Sequence, residues 1–212
     1  MANGKVYLNG EFLDPERARI SPMDRGFLFA DGVYEVIPAF NGVLFRLDAH
    51  LQRLERSLAE VSIANPHDRA GWRRLCEEMV AANGGGNLSV YLQITRGVAD
   101  KRDHAFPDPP VAPTVFLTSA PIPVPAADSL HQTRGAAAIT LADTRWARCD
   151  IKSISLLPNL LLRQRAVETG AQEAILLRDG FVTEGAASNV FVVRDGRVCT
   201  PPLSHCILGG IT

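Results

Sequence analysis

The sequence predicts a mixed α and β chain (α+β) of two domains, and three observations carry that reading. Alternating apolar residues next to Asn9-Gly10, Asn41-Gly42, Asp179-Gly180 and Asp195-Gly196 give strands and hairpins in both halves of the chain. Leucines at 51, 54 and 58, and the set Trp72, Leu75, Met79 and Ala82, recur at helical spacing. Pro121, Pro123 and Pro125 then alternate, which suits neither a helix nor a central strand. A linker is therefore expected over 121–126, between a small N-terminal α/β domain at 1–120 and a larger domain at 127–212.

Taken in order, Lys5 to Leu13 reads as two short strands around Asn9-Gly10. Ala30 to Phe40 reads as a strand with Val33, Glu35 and Ile37 on alternate positions, and Asn41-Gly42 turns it. Asp48 is placed to cap a helix running to about Val61, and Asp68 to cap the next, which Asn83-Gly84-Gly85-Gly86 stops. Leu88 to Arg96 and Thr114 to Ser119 read as strands. Past the prolines come a strand at 137–141, a helix at 156–169 ended by Gly170, and strands at 173–177, 190–193 and 198–200. The segment Val182-Thr183-Glu184-Gly185 reads as turn-like.

Composition narrows the function. A net charge of -1 lacks the basic excess that a nucleic-acid or anionic-membrane surface needs. No apolar run of about 18 residues suggests a transmembrane helix, and the first residues lack a signal-peptide pattern. Cys76, Cys149, Cys199 and Cys206 form no C-x-x-C pair, so neither a disulfide scaffold nor structural zinc is expected, and reduced thiols in a cytoplasm are. The chain has three lysines against nineteen arginines, so a lysine in an apolar segment stands out.

That lysine is Lys152, in Arg148-Cys149-Asp150-Ile151-Lys152-Ser153. Taken alone it reads as a surface loop residue. The sharper reading is an amine that condenses with an aldehyde, which requires its deprotonated form, favoured by burial beside Arg148. Glu184 alone reads as solvated, and in a pyridoxal enzyme as the acid beside the ring nitrogen. Arg53 borders the apolar face of its helix and reads either as a surface arginine or as a fork for a phosphate. Arg102 and His104, two apart in a polar loop, read as solvated charges or as a carboxylate trap.

Together these segments resemble the class IV aminotransferases. The resemblance rests on Tyr7-Leu8-Asn9-Gly10-Glu11-Phe12 and on Asp24-Arg25-Gly26-Phe27-Leu28-Phe29-Ala30-Asp31-Gly32-Val33-Tyr34-Glu35. It continues through His50-Leu51-Gln52-Arg53-Leu54, the Lys152 segment, Thr183-Glu184-Gly185 with Ser188-Asn189-Val190-Phe191, and Ile207-Leu208-Gly209-Gly210-Ile211-Thr212. It implies a two-domain fold with the cofactor domain at 127–212, and pyridoxal 5'-phosphate as cofactor. By the same resemblance, Lys152 holds the cofactor and shuttles the proton, Glu184 faces the pyridine nitrogen, and Arg53, Ile211 and Thr212 bind the phosphate. Leu208 packs on the ring, and Tyr34 lies near substrate and lysine.

Within the family, Arg102-Asp103-His104-Ala105-Phe106-Pro107 is similar to the D-amino-acid enzymes, where Arg, His and Tyr34 would take the substrate α-carboxylate. The reaction implied moves the amino group of a D-amino acid such as D-alanine to a 2-oxo acid such as 2-oxoglutarate, in a homodimer. Branched-chain L-amino-acid aminotransferase and aminodeoxychorismate lyase are the alternatives of the same fold. The D-type Glu-Gly-Ser-Ser-Ser-Asn stands here as Glu184-Gly185-Ala186-Ala187-Ser188-Asn189. Relatives continue past Thr212, so the expected fold is C-terminally short. This keeps open a chain that binds cofactor without turnover, while the phosphate-binding residues argue against a cofactor-free lysine aldolase.

Overall fold

The structure is a computed structural model that describes residues 4–123 and 135–212. The architecture is mixed α and β, in two compact units. One is built from Met1–Val124, Lys152–Ile154 and Ile211, the other from Pro125–Ile151, Ser155–Gly210 and Thr212.

In the first unit, β1 (Val6–Leu8) and β2 (Glu11–Leu13) pair antiparallel around Asn9 and Gly10. Both turn residues have positive φ, 49° and 108°, as a two-residue hairpin of this hand demands. A 3-10 turn follows at Pro15–Arg17. Then comes a short helix that the periodicity did not reveal, α1 (Arg25–Phe29), capped by the Asp24 carboxylate accepting from Gly26 N–H at 2.8 Å. β3 (Gly32–Phe40) and β4 (Val43–Leu44) turn at Asn41-Gly42. With β5 (Leu88–Thr95) and β6 (Thr114–Pro121) they complete an antiparallel six-stranded sheet, in the order β2-β1-β6-β5-β3-β4.

Two helices cover one face of this sheet. α2 (Leu47–Glu60) packs on β3, and α3 (Arg69–Ala82) on β5 and β6. α3 is capped by Asp68, which accepts from Gly71 N–H at 2.7 Å. The expected cap of α2 is corrected: Arg46, in the left-handed region, occupies the cap, and Asp48 lies inside the first turn, paired with Arg73. Burial of Leu47 starts the helix ahead of the aspartate. The cross-strand pairs Val33–Ile94, Ile37–Val90 and Ala39–Leu88 are buried, and the fourth pair of this row sets Glu35 beside Leu92. Strand alternation therefore sends Glu35 to the helix-covered face and Tyr34 to the other. Pro121 closes β6, while residues 124–126 of the expected linker lie outside the described residues.

The second unit holds a three-stranded sheet in the order β7-β8-β9: β7 (Ala138–Ala142), β8 (Glu173–Arg178) and β9 (Phe181–Gly185). β7 and β8 are parallel, so the chain must cross over between them, and α4 (Leu157–Glu168) does so. Leu162, Ala166, Ala171, Ala174, Leu176 and Ala186 form the core of this unit. Ala186, one of the two departures from the D-type segment, is thus a core methyl, whereas Ala187 is exposed. β10 (Val192–Arg194) and β11 (Arg197–Cys199) form an exposed hairpin, one or two residues displaced from the expected strands. β9 corrects the turn-like reading of 182–185. Among the described residues, no helix is long and apolar enough to cross a membrane.

Candidate active site

Lys152 is delivered by backbone pairing. β4 covers only the far end of β3, and residues 152–154 take the open edge at its start. Tyr34 N–H donates to the Lys152 carbonyl at 3.0 Å, Ile154 N–H donates to the Gly32 carbonyl at 3.0 Å, and Val33 bridges Ser153. Lys152 N–H also donates to Ser57 Oγ at 3.3 Å. Gly32 permits this approach, because a Cβ there would lie 2.6 Å from the Ile94 carbonyl oxygen and 3.0 Å from Ile154 Cδ1. The lysine Nζ comes 4.1 Å from the centre of the Tyr34 ring. Two residues singled out in the sequence, 118 positions apart, are thereby brought together.

Directly behind Tyr34, on the opposite sheet face, Arg53 donates from Nε and Nη2 to the two Glu35 oxygens at 2.7 and 2.8 Å. His50 Nδ1 stands 2.8 Å from the same carboxylate, and its buried Nε2 has no partner among the described residues. Burial pushes the Glu35 carboxyl up, but Arg53 and His50 outweigh it and hold it below the usual range. Glu35 and His50 were not singled out from the sequence. Their signal was an acid at an apolar strand position and a His-x-x-Arg pair along one helix face.

Arg102 and His104 are brought together on Phe29: the guanidinium lies 4.8 Å from its ring centre and the imidazole 5.3 Å. Their loop is held from below by Arg25, whose guanidinium donates to the carbonyls of Asp103, His104 and Ala105 at 2.6, 3.3 and 3.2 Å. Asp31 anchors Arg25 and Arg96 with bonds of 2.8 Å from each Nε, and Phe106 covers the Arg96 guanidinium at 3.5 Å. Much of the segment Asp24 to Glu35 thus contacts or supports the residues singled out in the sequence, as helix cap, loop anchor, ring platform, lysine neighbour and arginine partner. At the chain's other end, the Ile211 carbonyl accepts from Arg46 at 2.9 Å, while Thr212 is exposed.

In the second unit Glu184 is only 5% exposed, although it reads as solvated from the sequence alone. Arg145 Nη1 donates to its Oε1, while Asn189 Nδ2 and the Leu208 N–H donate to Oε2, each at 3.1 Å. Glu184 and Leu208 are thus brought together. Burial pushes the Glu184 carboxyl above its ordinary value, and Arg145 pulls it partly back. Asn189 also donates to the Leu208 carbonyl at 2.9 Å, and a Cβ at Gly210 would lie 2.1 Å from Asn189 Oδ1, so a side chain there would have to displace the Asn189 amide that bonds Glu184 and Leu208. Asp143 was not singled out, and Arg145 and Asn189 carried no role in the sequence reading, because only the fold brings them to Glu184.

The acid limb of stability follows from this cluster. Burial pushes Asp143 up, yet the bonds from Arg145 and Thr183 outweigh it and hold it at about 2, against an ordinary 3.8. A depressed carboxylate stabilises the fold above its unfolded value and loses that contribution as pH falls through its folded value. Glu184, shifted upward, acts oppositely: its protonation on acidification favours the folded state. Thermal melts are therefore expected to lose one share of stability as pH falls from 3.8 toward about 2, and Asp143→Asn should remove that share while leaving those of Glu35 and Asp31. A wild-type profile unchanged by Asp143→Asn would contradict this assignment.

The first unit supplies an amine at a ring face and a guanidinium, and the second a buried carboxylate whose Oε1 has a single donor. Taken one by one, these groups have the chemistry to take an aldehyde, a phosphate and a basic ring nitrogen, the polar parts of pyridoxal phosphate. Comparison with known proteins points the same way. Residues 32–212 match the family model described as amino-transferase class IV. The D-alanine aminotransferase of Staphylococcus epidermidis is 42% identical over 208 residues, covering 98% of this chain and 72% of that protein. Among solved structures, the branched-chain amino acid aminotransferase of Escherichia coli gives a TM-score of 0.87 at 25% identity, over 99% of this chain and 71% of that one. That of Thermoproteus uzoniensis, solved with norvaline, gives 0.82 at 27% identity, over 99% and 71%. A further branched-chain enzyme, complexed with N-(5'-phosphopyridoxyl)-L-glutamate, gives 0.83 at 26% identity, over 99% and 70%.

Proposed function

The chain belongs to the class IV aminotransferase family, and from that premise we propose that it moves the amino group of a D-amino acid such as D-alanine to a 2-oxo acid such as 2-oxoglutarate. Enzymes of this family use pyridoxal phosphate, and the protein is a pyridoxal-phosphate-dependent transaminase acting on an amino acid and a 2-oxo acid. The observation that carries the D-amino-acid reading is the Arg102–His104 pair on Phe29, on a loop fixed by Arg25. Identity of 42% to a D-alanine aminotransferase, against 25% to a branched-chain enzyme, favours the same choice.

When bound, the cofactor carries the amino group and spreads the electrons left on the substrate α-carbon. The protein supplies the rest. Lys152 Nζ is the base that takes the α-proton and the acid that returns it, with the Tyr34 ring limiting the swing of its chain. Arg102 and His104, with Tyr34, hold the α-carboxylate, which fixes the face of the α-carbon turned to Lys152. By the family resemblance, Glu184 would accept the ring N–H, Leu208 would pack on the ring, and Arg53, Ile211 and Thr212 would hold the phosphate. The enzyme works as a homodimer. Its four cysteines are unpaired, which suits the cytoplasm.

Initial rates with D-alanine and L-leucine as donors test the choice of substrate. D-alanine is expected to be the better donor, and Arg102→Leu to raise its KM by about tenfold or more through loss of a charge-assisted contact, with a smaller change in kcat. Preference for L-leucine, untouched by Arg102→Leu, would move the assignment to the branched-chain activity.

A further inference from the structure

Glu184 is a buried acid whose surroundings decide its charge, and those surroundings form a chain of two links. Its carboxylate is compensated by the Arg145 guanidinium at Oε1 and by two N–H dipoles at Oε2. Arg145 is itself buried and does not choose its own orientation. Asp143 grips it through Nε and Nη2, each at 2.9 Å, and the Cys206 carbonyl accepts from Nη2 at 3.2 Å. Asp143 has no exposed side-chain surface, and it also takes Thr183 Oγ1 at 3.0 Å and Arg178 at 3.2 Å. Two carboxylates thus face two guanidiniums, and the cluster closes without a net charge. Burial of an ionised group is tolerated only with such compensation.

We propose that Arg145, clamped by Asp143, is a positioning residue that keeps Glu184 ionised and aimed as an acceptor for the ring nitrogen of the cofactor. The proposal rests on the pyridoxal-phosphate reading of Glu184. Three donors occupy about three of a carboxylate's roughly four lone-pair positions. Oε1, which has a single donor, is the oxygen with capacity for one more N–H. A neutral Glu184 would offer an O–H of its own instead. Without Arg145, only the Asn189 and Leu208 N–H groups would oppose the burial of Glu184, and Asp143 would repel its charge, so the balance moves toward the neutral acid.

The test reads the charge of Glu184 in the cofactor-free chain. Infrared spectra with carboxyl-labelled glutamate, taken as a difference against Glu184→Gln, isolate its band across a pH titration. The wild type is expected to show an ionised Glu184 at neutral pH. Arg145→Met should move its titration upward, Arg145→Lys should restore part of the shift, and Asp143→Asn should move it the same way by less. Pyridoxal-phosphate affinity, read by absorbance titration, should fall on the order of tenfold or more in Arg145→Met and partly recover in Arg145→Lys. A Glu184 that is protonated at neutral pH in the wild type would overturn the proposal, even if Arg145→Met does not fold. So would a titration unmoved in the folded variants, or one that moves while cofactor affinity stays the same. Failure of the cofactor reading shows separately, as no binding by the unaltered chain, and overturns both.

Discussion

Lys152→Ala is expected to lower transaminase turnover by at least about a thousandfold, because the proposed mechanism gives this one side chain two roles that no neighbour can assume. In that mechanism its amine holds the cofactor and carries the substrate proton. The backbone of 152–154 pairs with the start of β3 through main-chain atoms, so alanine keeps those bonds and the fold should survive. Loss of activity with an unchanged melting temperature is therefore the expected pattern. The near-visible absorbance of lysine-bound cofactor should disappear as well. A variant that folds, keeps that absorbance and turns over normally would remove Lys152 from the mechanism.

Arg53→Met is expected to cost about 3–5 kcal/mol of folding stability, since it leaves the fully buried Glu35 carboxylate without its forked partner. It should also weaken cofactor binding, because the same guanidinium is assigned to the phosphate. The two effects are separable. Arg53→Met combined with Glu35→Met leaves no orphaned charge and should regain most of the stability. It should not regain the affinity for pyridoxal phosphate. Urea unfolding and absorbance titration of the single and double variants measure both quantities. A single variant losing less than about 1 kcal/mol, or a double variant that binds cofactor normally, would contradict the dual role.

The local grammar of the sequence explains which parts of the fold could be read in advance. Asn9-Gly10 and Asn41-Gly42 announce hairpins because both residues accept positive φ. Asp68 announces α3 because its carboxylate caps the helix. Asp48 misled, because a cap depends on which residue the chain presents at the helix start, and burial of Leu47 settled that instead. β9 was hidden because its acid at 184 breaks the apolar alternation that marks a strand. What hides the strand also marks the site, since a buried charge on a strand requires partners that local sequence does not contain. Glu35 presents the same case with Arg53 and His50, 18 and 15 residues away. Arg145 reaches Glu184 across 39 residues, and Arg25 holds the Asp103 carbonyl across 78. Such long-range charge pairs are written in the fold, not in residue spacing. The resemblance to a family named Lys152, Glu184 and Arg53, and the structure adds the residues that orient them.

The most direct measurement is an absorbance spectrum of the purified chain with pyridoxal phosphate, taken before and after D-alanine is added and repeated with L-leucine. The expected result is a near-visible band that requires Lys152, falls with D-alanine and is little changed by L-leucine. A band indifferent to D-alanine, or no band in the folded chain, would contradict the D-amino-acid transaminase assignment.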